Sequence, residues 1–221
     1  MKFKQSSRNK VIRGKKKASY DKELIYGLLD RCEVCTVAFT IDGLAHVQPI
    51  NFGRAGDKLY LHGHVKNRMT TALIEHGEVC LNTMYLDALK ITRSAFNNSV
   101  QYRSVTVFGK VRELIPHEEK LVGLKAIVNH FMPDRWDHCR EPNKKELNAT
   151  RVLEIEIESA AAKIADTPPE DKEADYQTDY WSGLIPIKTI AENPIDDELL
   201  KQGIDTPQHI LDFCDKYKDG F

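Results

Sequence analysis

Residues 34–64, VCTVAFTIDGLAHVQPINFGRAGDKLYLHGH, decide the fold. Residues 34–40 are β-branched and aromatic, and residues 45–52 repeat that character. Between them lies Asp42-Gly43. A DG pair at that place favours a two-residue hairpin, because both corners want positive φ. A second turn, RAGD at residues 54–57, leads into the alternating run at residues 58–64. The pattern predicts three strands joined as an antiparallel meander.

The same reading extends in both directions. Upstream, Leu24, Ile25, Leu28 and Leu29 recur at helical spacing in residues 21–31, with Ser19 near the start. Downstream, residues 67–75 predict a short helix and residues 78–86 a strand, followed by a polar loop through Asn97-Asn98-Ser99. Residues 101–114 alternate Val105, Val107, Gly109 and Val111 with Thr106, Phe108, Lys110 and Arg112. Gly109 in that run predicts a bulge or sharp bend. Pro116 opens a helix to about residue 131, and residues 150–159 alternate as a sixth strand. Residues 166–180 are acidic and Pro-containing and read as an ordered excursion or a mobile loop. Residues 181–186 form an apolar island, and Pro207 opens a last helix to about residue 217. Six strands in sequential hairpins with singly inserted helices define a mainly β fold, a β-barrel with added helices.

Composition narrows the function classes. The chain has 221 residues and 41% hydrophobic residues, enough for a full core. No apolar run reaches the roughly 20 residues that span a bilayer, and the polar, basic N-terminus is not a secretory signal. The five cysteines are an odd count, and Cys35 and Cys80 sit in strand-like runs as buried thiols. That usage suits a reducing, cytoplasmic setting. Residues 1–17 carry Lys2, Lys4, Arg8, Lys10, Arg13, Lys15, Lys16 and Lys17 and no acid, whereas residues 166–221 are dominated by Asp and Glu. The basic arm reads as a solvated tail, or as an arm lying on an acidic surface of its own chain or a partner subunit. No nucleic-acid reader follows it, so DNA or RNA is not the expected partner.

Candidate chemistry is sparse. His46, His62 and His64 would suit zinc, but no carboxylate or thiolate stands at a supporting spacing. No metal is expected, and the histidines read as structural or ligand-contacting. Cys32-x-x-Cys35 leaves a helix and enters a strand, the reverse of a redox pair. No GxSxG, HExxH, GxxxxGK(S/T) or GxGxxG is present. The sharper pattern is KLYLHGHVKNR at residues 58–68. It joins a strand, a glycine-relaxed turn at His62-Gly63-His64, and a helix start carrying Lys66, Asn67 and Arg68. Free N–H groups, a positive dipole end and cations are what a phosphate needs. Arg103 and Ser104 add a cation and a hydroxyl in a strand expected to lie nearby.

In order, VCTVAFT (34–40), HVQPINFG (46–53), LYLHGHVKNR (59–68), YRSVTVFGKV (102–111), EEKLVGLKAIVNHFMPDR (118–135) and WSGLIPI (181–187) form one collinear run over residues 8–187. This run resembles the pyridoxamine 5′-phosphate oxidase-like flavin-binding split-barrel superfamily. It looks more closely like the branch containing the 5-nitroimidazole resistance (Nim) proteins.

The resemblance implies a six-stranded antiparallel split barrel of the FMN-binding type, a homodimer with flavin at the subunit interface. Pro49, Ile50 and Asn51 would line the ring through backbone groups. His62, Gly63, Lys66, Asn67 and Arg68 would hold the ribityl phosphate, and Arg103 and Ser104 would meet the same phosphate. Trp181 would lie near the ring, from either subunit. The cofactor would be FMN, with FAD sharing its phosphate and ring. The family often has glycine at the position of Asn67, and Asn tolerates the left-handed conformation expected there. The pyridoxamine phosphate-binding residues of the true oxidases have no match, so pyridoxal phosphate synthesis is not expected.

The expected domains are a basic arm (1–18), a flavin-binding barrel (19–187) and a C-terminal helical extension (188–221). The expected function is a flavin-dependent oxidoreductase. It would take electrons from reduced nicotinamide or another donor and reduce a small acceptor, such as a nitroaromatic compound. His62 or His64 would donate a proton or orient the acceptor. The other reading is a non-catalytic carrier of flavin, heme or a phosphate ligand.

Overall fold

The computed structural model describes residues 1–220. Its elements, in chain order, begin with β1 (Ala18–Ser19), α1 (Lys22–Leu29), β2 (Val34–Ile41), β3 (Leu44–Asn51), β4 (Gly53–Ala55), β5 (Lys58–His64) and α2 (Arg68–His76). There follow β6 (Glu78–Ile91), β7 (Ser99–Leu114), α3 (His117–Phe131), α4 (Lys144–Ala149), β8 (Thr150–Ala165), β9 (Gly183–Pro186) and α5 (Gln208–Tyr217). The strands form one antiparallel sheet ordered β3-β2-β6-β7-β8-β5-β4, with β1 on β8 and β9 on β6.

All six expected strands are present. The Asp42-Gly43 turn has positive φ at both residues, 52° and 77°. A bulge falls where Gly109 stands, between Phe108 and Gly109 of β7 opposite β8. A Cβ on Gly109 would lie 2.2 Å from the Glu156 carbonyl oxygen, so only glycine lets the strands approach there. The inward residues Val37, Leu59, Leu61, Leu81, Val105, Val107, Leu153 and Ile155 fill the barrel and are buried. Each stabilises the fold by roughly 2 kcal/mol through burial.

The meander expectation is corrected. Strands β2 and β3 pair as a hairpin, but β5 pairs with β4 and β8 and not with β3. The cause lies between Asn51 and Lys58. Phe52 is fully buried, and Gly53 presses so closely on α3 that a Cβ would sit 2.5 Å from the Ile127 backbone. The chain therefore turns off β3, and the β4–β5 hairpin completes the other end of the sheet.

Helix α1 is capped by Asp21, whose side chain accepts from the Leu24 N–H, rather than by Ser19. The arm is not merely solvated: Phe3 enters the core, Asn9 is buried, and Arg8 pairs with Glu78 at 2.6 Å. The segment at residues 166–180 is an ordered excursion. Asp171 pins it by accepting the backbone N–H groups of Arg93 and Ser94 at 2.9 and 3.3 Å. No helix among the described residues is long and apolar enough to cross a membrane.

Candidate functional site

Strand β5 ends against β8, with His62 opposite Val152, Gly63 opposite Arg151 and His64 opposite Thr150. A tight turn follows. The Lys66 N–H donates to His64 Nδ1 at 3.1 Å, and the Asn67 N–H donates to the His64 carbonyl at 2.8 Å. Asn67 then starts α2. Its φ of −70° is extended, not left-handed, and its side chain accepts from the Thr70 N–H. The expectation of a left-handed Asn67 is thereby corrected: the residue is a helix N-cap, for which Asn is among the best choices. The Thr70 and Thr71 hydroxyls both donate to the Asn67 carbonyl, and Arg151 donates to the Thr71 hydroxyl at 2.8 Å. The turn is thus braced from three sides.

Capping leaves the first helical N–H groups, those of Arg68 and Met69, without intrahelical acceptors. Lys66 and Arg68 are exposed on either side of Asn67. Neither makes an ion pair among the described residues. Gly63 backs onto this turn, where a Cβ would crowd the Thr70 methyl at 3.2 Å. His62 is part-buried with its Nδ1 unpartnered. Burial lowers its pKa, so at neutral pH the ring is an uncharged donor and acceptor rather than a fixed cation.

Pro49, Ile50 and Asn51 lie on β3, the edge strand of the sheet, opposite Thr36, Cys35 and Val34. An edge strand keeps one row of backbone groups free for an external partner. His46, also on β3, stacks on Phe39 at 5.3 Å and is not on a strand neighbouring His62 and His64. No group of three metal-capable side chains occurs among the described residues.

Arg103 and Ser104 stand away from the turn before α2, and Trp181 stands apart from both, beyond the end of β6. Arg103 and Ser104 stand opposite Tyr85 and Met84 on β6 and opposite Ile164 and Lys163 on β8. The β8 residues that face His62 and Gly63 are Val152 and Arg151, so the two groups occupy opposite ends of the strands. Within one chain, then, Arg103 and Ser104 do not join the α2 N-terminus. Arg103 is instead held by Asp87, with Nε and Nη2 donating at 2.6–3.1 Å. That pairing raises its pKa further. Trp181 is exposed, with its indole folded over Gly183 beside the end of β6.

A split antiparallel barrel with a free edge strand and a cationic helix start defines the flavin-binding, pyridoxamine 5′-phosphate oxidase-like class of folds. Comparison bears this out. The family described as pyridoxamine 5′-phosphate oxidase matches residues 21–164. The flavocytochrome Anf3 from Azotobacter vinelandii is 34% identical, with 94% of this chain and 97% of that one covered at a TM-score of 0.88. An FAD and heme binding protein from Mycobacterium smegmatis is 31% identical, with 90% and 97% covered at 0.84. A 5-nitroimidazole antibiotic resistance protein from Bacteroides thetaiotaomicron is 24% identical, with 66% and 86% covered at 0.57, a likeness of fold. No curated protein matches. The chain belongs to the pyridoxamine 5′-phosphate oxidase family.

Sequence reasoning missed the apolar outer face of the hairpin. Val34 and Val47 of the hairpin share that face with Met84 of β6, and all three are large and exposed. Their alternation with the buried Cys35, Val37, Leu81 and Thr83 was the available sign.

Proposed function

We propose that this chain is a flavin-dependent redox protein that passes electrons to a small acceptor. The observation that carries the reading is the pair of cations, Lys66 and Arg68, that make no ion pair among the described residues and flank the free N–H groups of α2, next to the Gly63 end of β5. This donor set fits a phosphate ester of a flavin nucleotide. A bound flavin supplies reversible one- and two-electron chemistry that no side chain here can supply.

The chain's own residues bind and orient. Lys66, Arg68 and the α2 N–H groups take the phosphate, and Asn67 fixes their geometry. The β3 edge at Pro49, Ile50 and Asn51 meets the ring's polar rim. Pro49 lacks an N–H, so that edge offers acceptors there rather than an unbroken row of donors. Neutral His62 or exposed His64 gives or receives the proton that accompanies electron transfer. The apolar face bearing Val34, Val47 and Met84 supports a homodimer, since exposed patches of this kind mark association sites. In it, a second copy would bring Arg103, Ser104 and Trp181 toward this chain's site. A nitroaromatic compound is the proposed acceptor class.

A second reading, a flavin–heme electron carrier, is favoured by the two relatives matched along nearly their whole length. The buried, unpartnered Nδ1 of His62 fits a need for an imidazole nitrogen free of other partners.

The test is anaerobic reduction of the flavin-loaded protein with NADH, NADPH or dithionite, followed by a nitroimidazole. Bleaching that the nitro compound reverses supports the enzyme. Bleaching reversed by added hemin protein but not by any small acceptor supports the carrier. A protein that takes up no flavin sinks both readings.

A further inference from the structure

Charge lies along this chain in two opposite blocks. Residues 1–17 carry cations and no acid, and residues 166–221 carry an excess of carboxylates. The fold of one chain does not bring the blocks together. Of the arm's cations only Arg8 makes an ion pair among the described residues, and its partner is Glu78 of β6. Of the tail's described carboxylates only Asp171 and Asp215 do, with Arg93 and Lys218.

The two blocks border one surface from opposite ends. That surface is the face of β2, β3 and β6 bearing Val34, Val47 and Met84. Strand β2 pairs with β6 only from Thr36 to Ala38. Beyond Ala38 a cleft of about 360 Å³ opens between the hairpin and α2, and Arg8 of the arm lines it beside Val47. At the other end of β2 a cleft of about 450 Å³ holds Val34 and Met84, and Thr189 of the C-terminal extension lines it beside them. Val34 and Ala38, the partner of Val47, are four residues apart on β2, so about 13 Å of this face separates the arm from the start of the tail. Each block also holds bare apolar side chains among its charges. Ile12 is 73% exposed between Lys10 and Arg13, and Ile195 and Leu199 are 95% and 90% exposed around Asp196, Asp197 and Glu198.

We propose that the tail of one copy, residues 192–205, straps the basic arm of a second copy, residues 10–17, across a twofold axis through this face. The inference rests on the reading of the face as a homodimer interface. In a twofold contact, residue i meeting residue j is matched by j meeting i. An axis through the middle of the face therefore sets the tail flank of each copy against the arm flank of the other. Carboxylates on Glu192, Asp196 and Glu198 then meet Arg13, Lys15 and Lys16, and Ile12 gains apolar company from Ile195 or Leu199. Exposed ion pairs are individually weak, so the strap sets register and salt dependence more than total affinity.

The first experiment couples amines to carboxylates with a zero-length carbodiimide in a mixture of light and heavy-isotope protein. Mass spectrometry should find links from Lys10, Lys15 or Lys16 to residues 192–205 in mixed-isotope pairs. The second measures dimerisation by sedimentation equilibrium. The arm variant carries Arg13→Glu, Lys15→Glu and Lys16→Glu, and the tail variant carries Glu192→Lys, Asp196→Lys and Glu198→Lys. All six positions are exposed, so the fold is not at risk. Each variant alone should weaken the dimer about tenfold or more, and high salt should weaken the wild type. Mixing the two variants should restore association as heterodimers, because each tail then meets an arm of opposite charge. Links confined to single-isotope pairs, or variants that dimerise like the wild type, would overturn the strap and leave the homodimer reading intact. Salt-sensitive retention of duplex DNA that the arm variant loses, with no mixed-isotope link, would also overturn it and give the arm to nucleic acid. A wild type that stays monomeric would overturn the homodimer reading as well.

Discussion

Replacing both Lys66 and Arg68 by alanine removes the two cations at the α2 N-terminus while sparing the turn that holds them. Their backbones stay fixed by the Asn67 cap and by the bond from Lys66 N–H to His64 Nδ1. Hydrogen bonds to a charged group contribute about 1.5–3 kcal/mol each. Both side chains are exposed, which places them at the low end of that range. The double variant should therefore lose about 3 kcal/mol of FMN binding, roughly a hundredfold in Kd. Riboflavin carries the same ring without the phosphate, and its affinity should change less than threefold, within about 0.7 kcal/mol. Fluorescence quenching measures both. Higher ionic strength should narrow the FMN difference, because exposed charges are screened. Equal losses for FMN and riboflavin would refute the reasoning, since the residues would then act through the fold or the ring.

Three further outcomes follow from the geometry. Gly109→Val should destabilise the barrel by about 3 kcal/mol, lowering Tm by roughly 6–12 °C, whereas Gly27→Ala in α1, with nothing within 4 Å, should be neutral or stabilising. The thiols should differ sharply in reaction with Ellman's reagent: exposed Cys139 reacts at once, while Cys35, pushed up to about 12 by burial, reacts only on unfolding. The stack of His209 on His138 at 4.3 Å should loosen in acid, because burial and the neighbouring His138 lower the His209 pKa. Full docking of α5 is then present above about pH 6.5 and declines as pH falls through that value toward the lowered pKa. Hydrogen exchange in α5 should rise over that window, and His209→Phe should flatten the response.

The strands were legible because alternation is a local property, as in residues 150–159, and the Asp42-Gly43 corner because two residues suffice to set it. The pairing of β5 with β8 was not legible. It joins residues roughly ninety positions apart, and no local pattern encodes which distant edge a strand will meet. The same blindness separates Arg103 from the phosphate turn: its partner Asp87 becomes a neighbour only through the β6–β7 register. Asn67 was legible as a turn residue but not as a cap, because Asn serves left-handed corners and N-caps equally well. The cleft between hairpin and α2 left no sequence sign, since it arises from where β2 stops pairing with β6.

The central claim is that this barrel holds a flavin nucleotide by its phosphate at α2 and its ring at the β3 edge. The visible absorption spectrum of the protein after incubation with FAD or FMN and removal of free ligand tests it most directly. The account predicts a flavin band that stays with the protein and is lost when Lys66 and Arg68 are both replaced. A colourless wild-type protein after both incubations would contradict it.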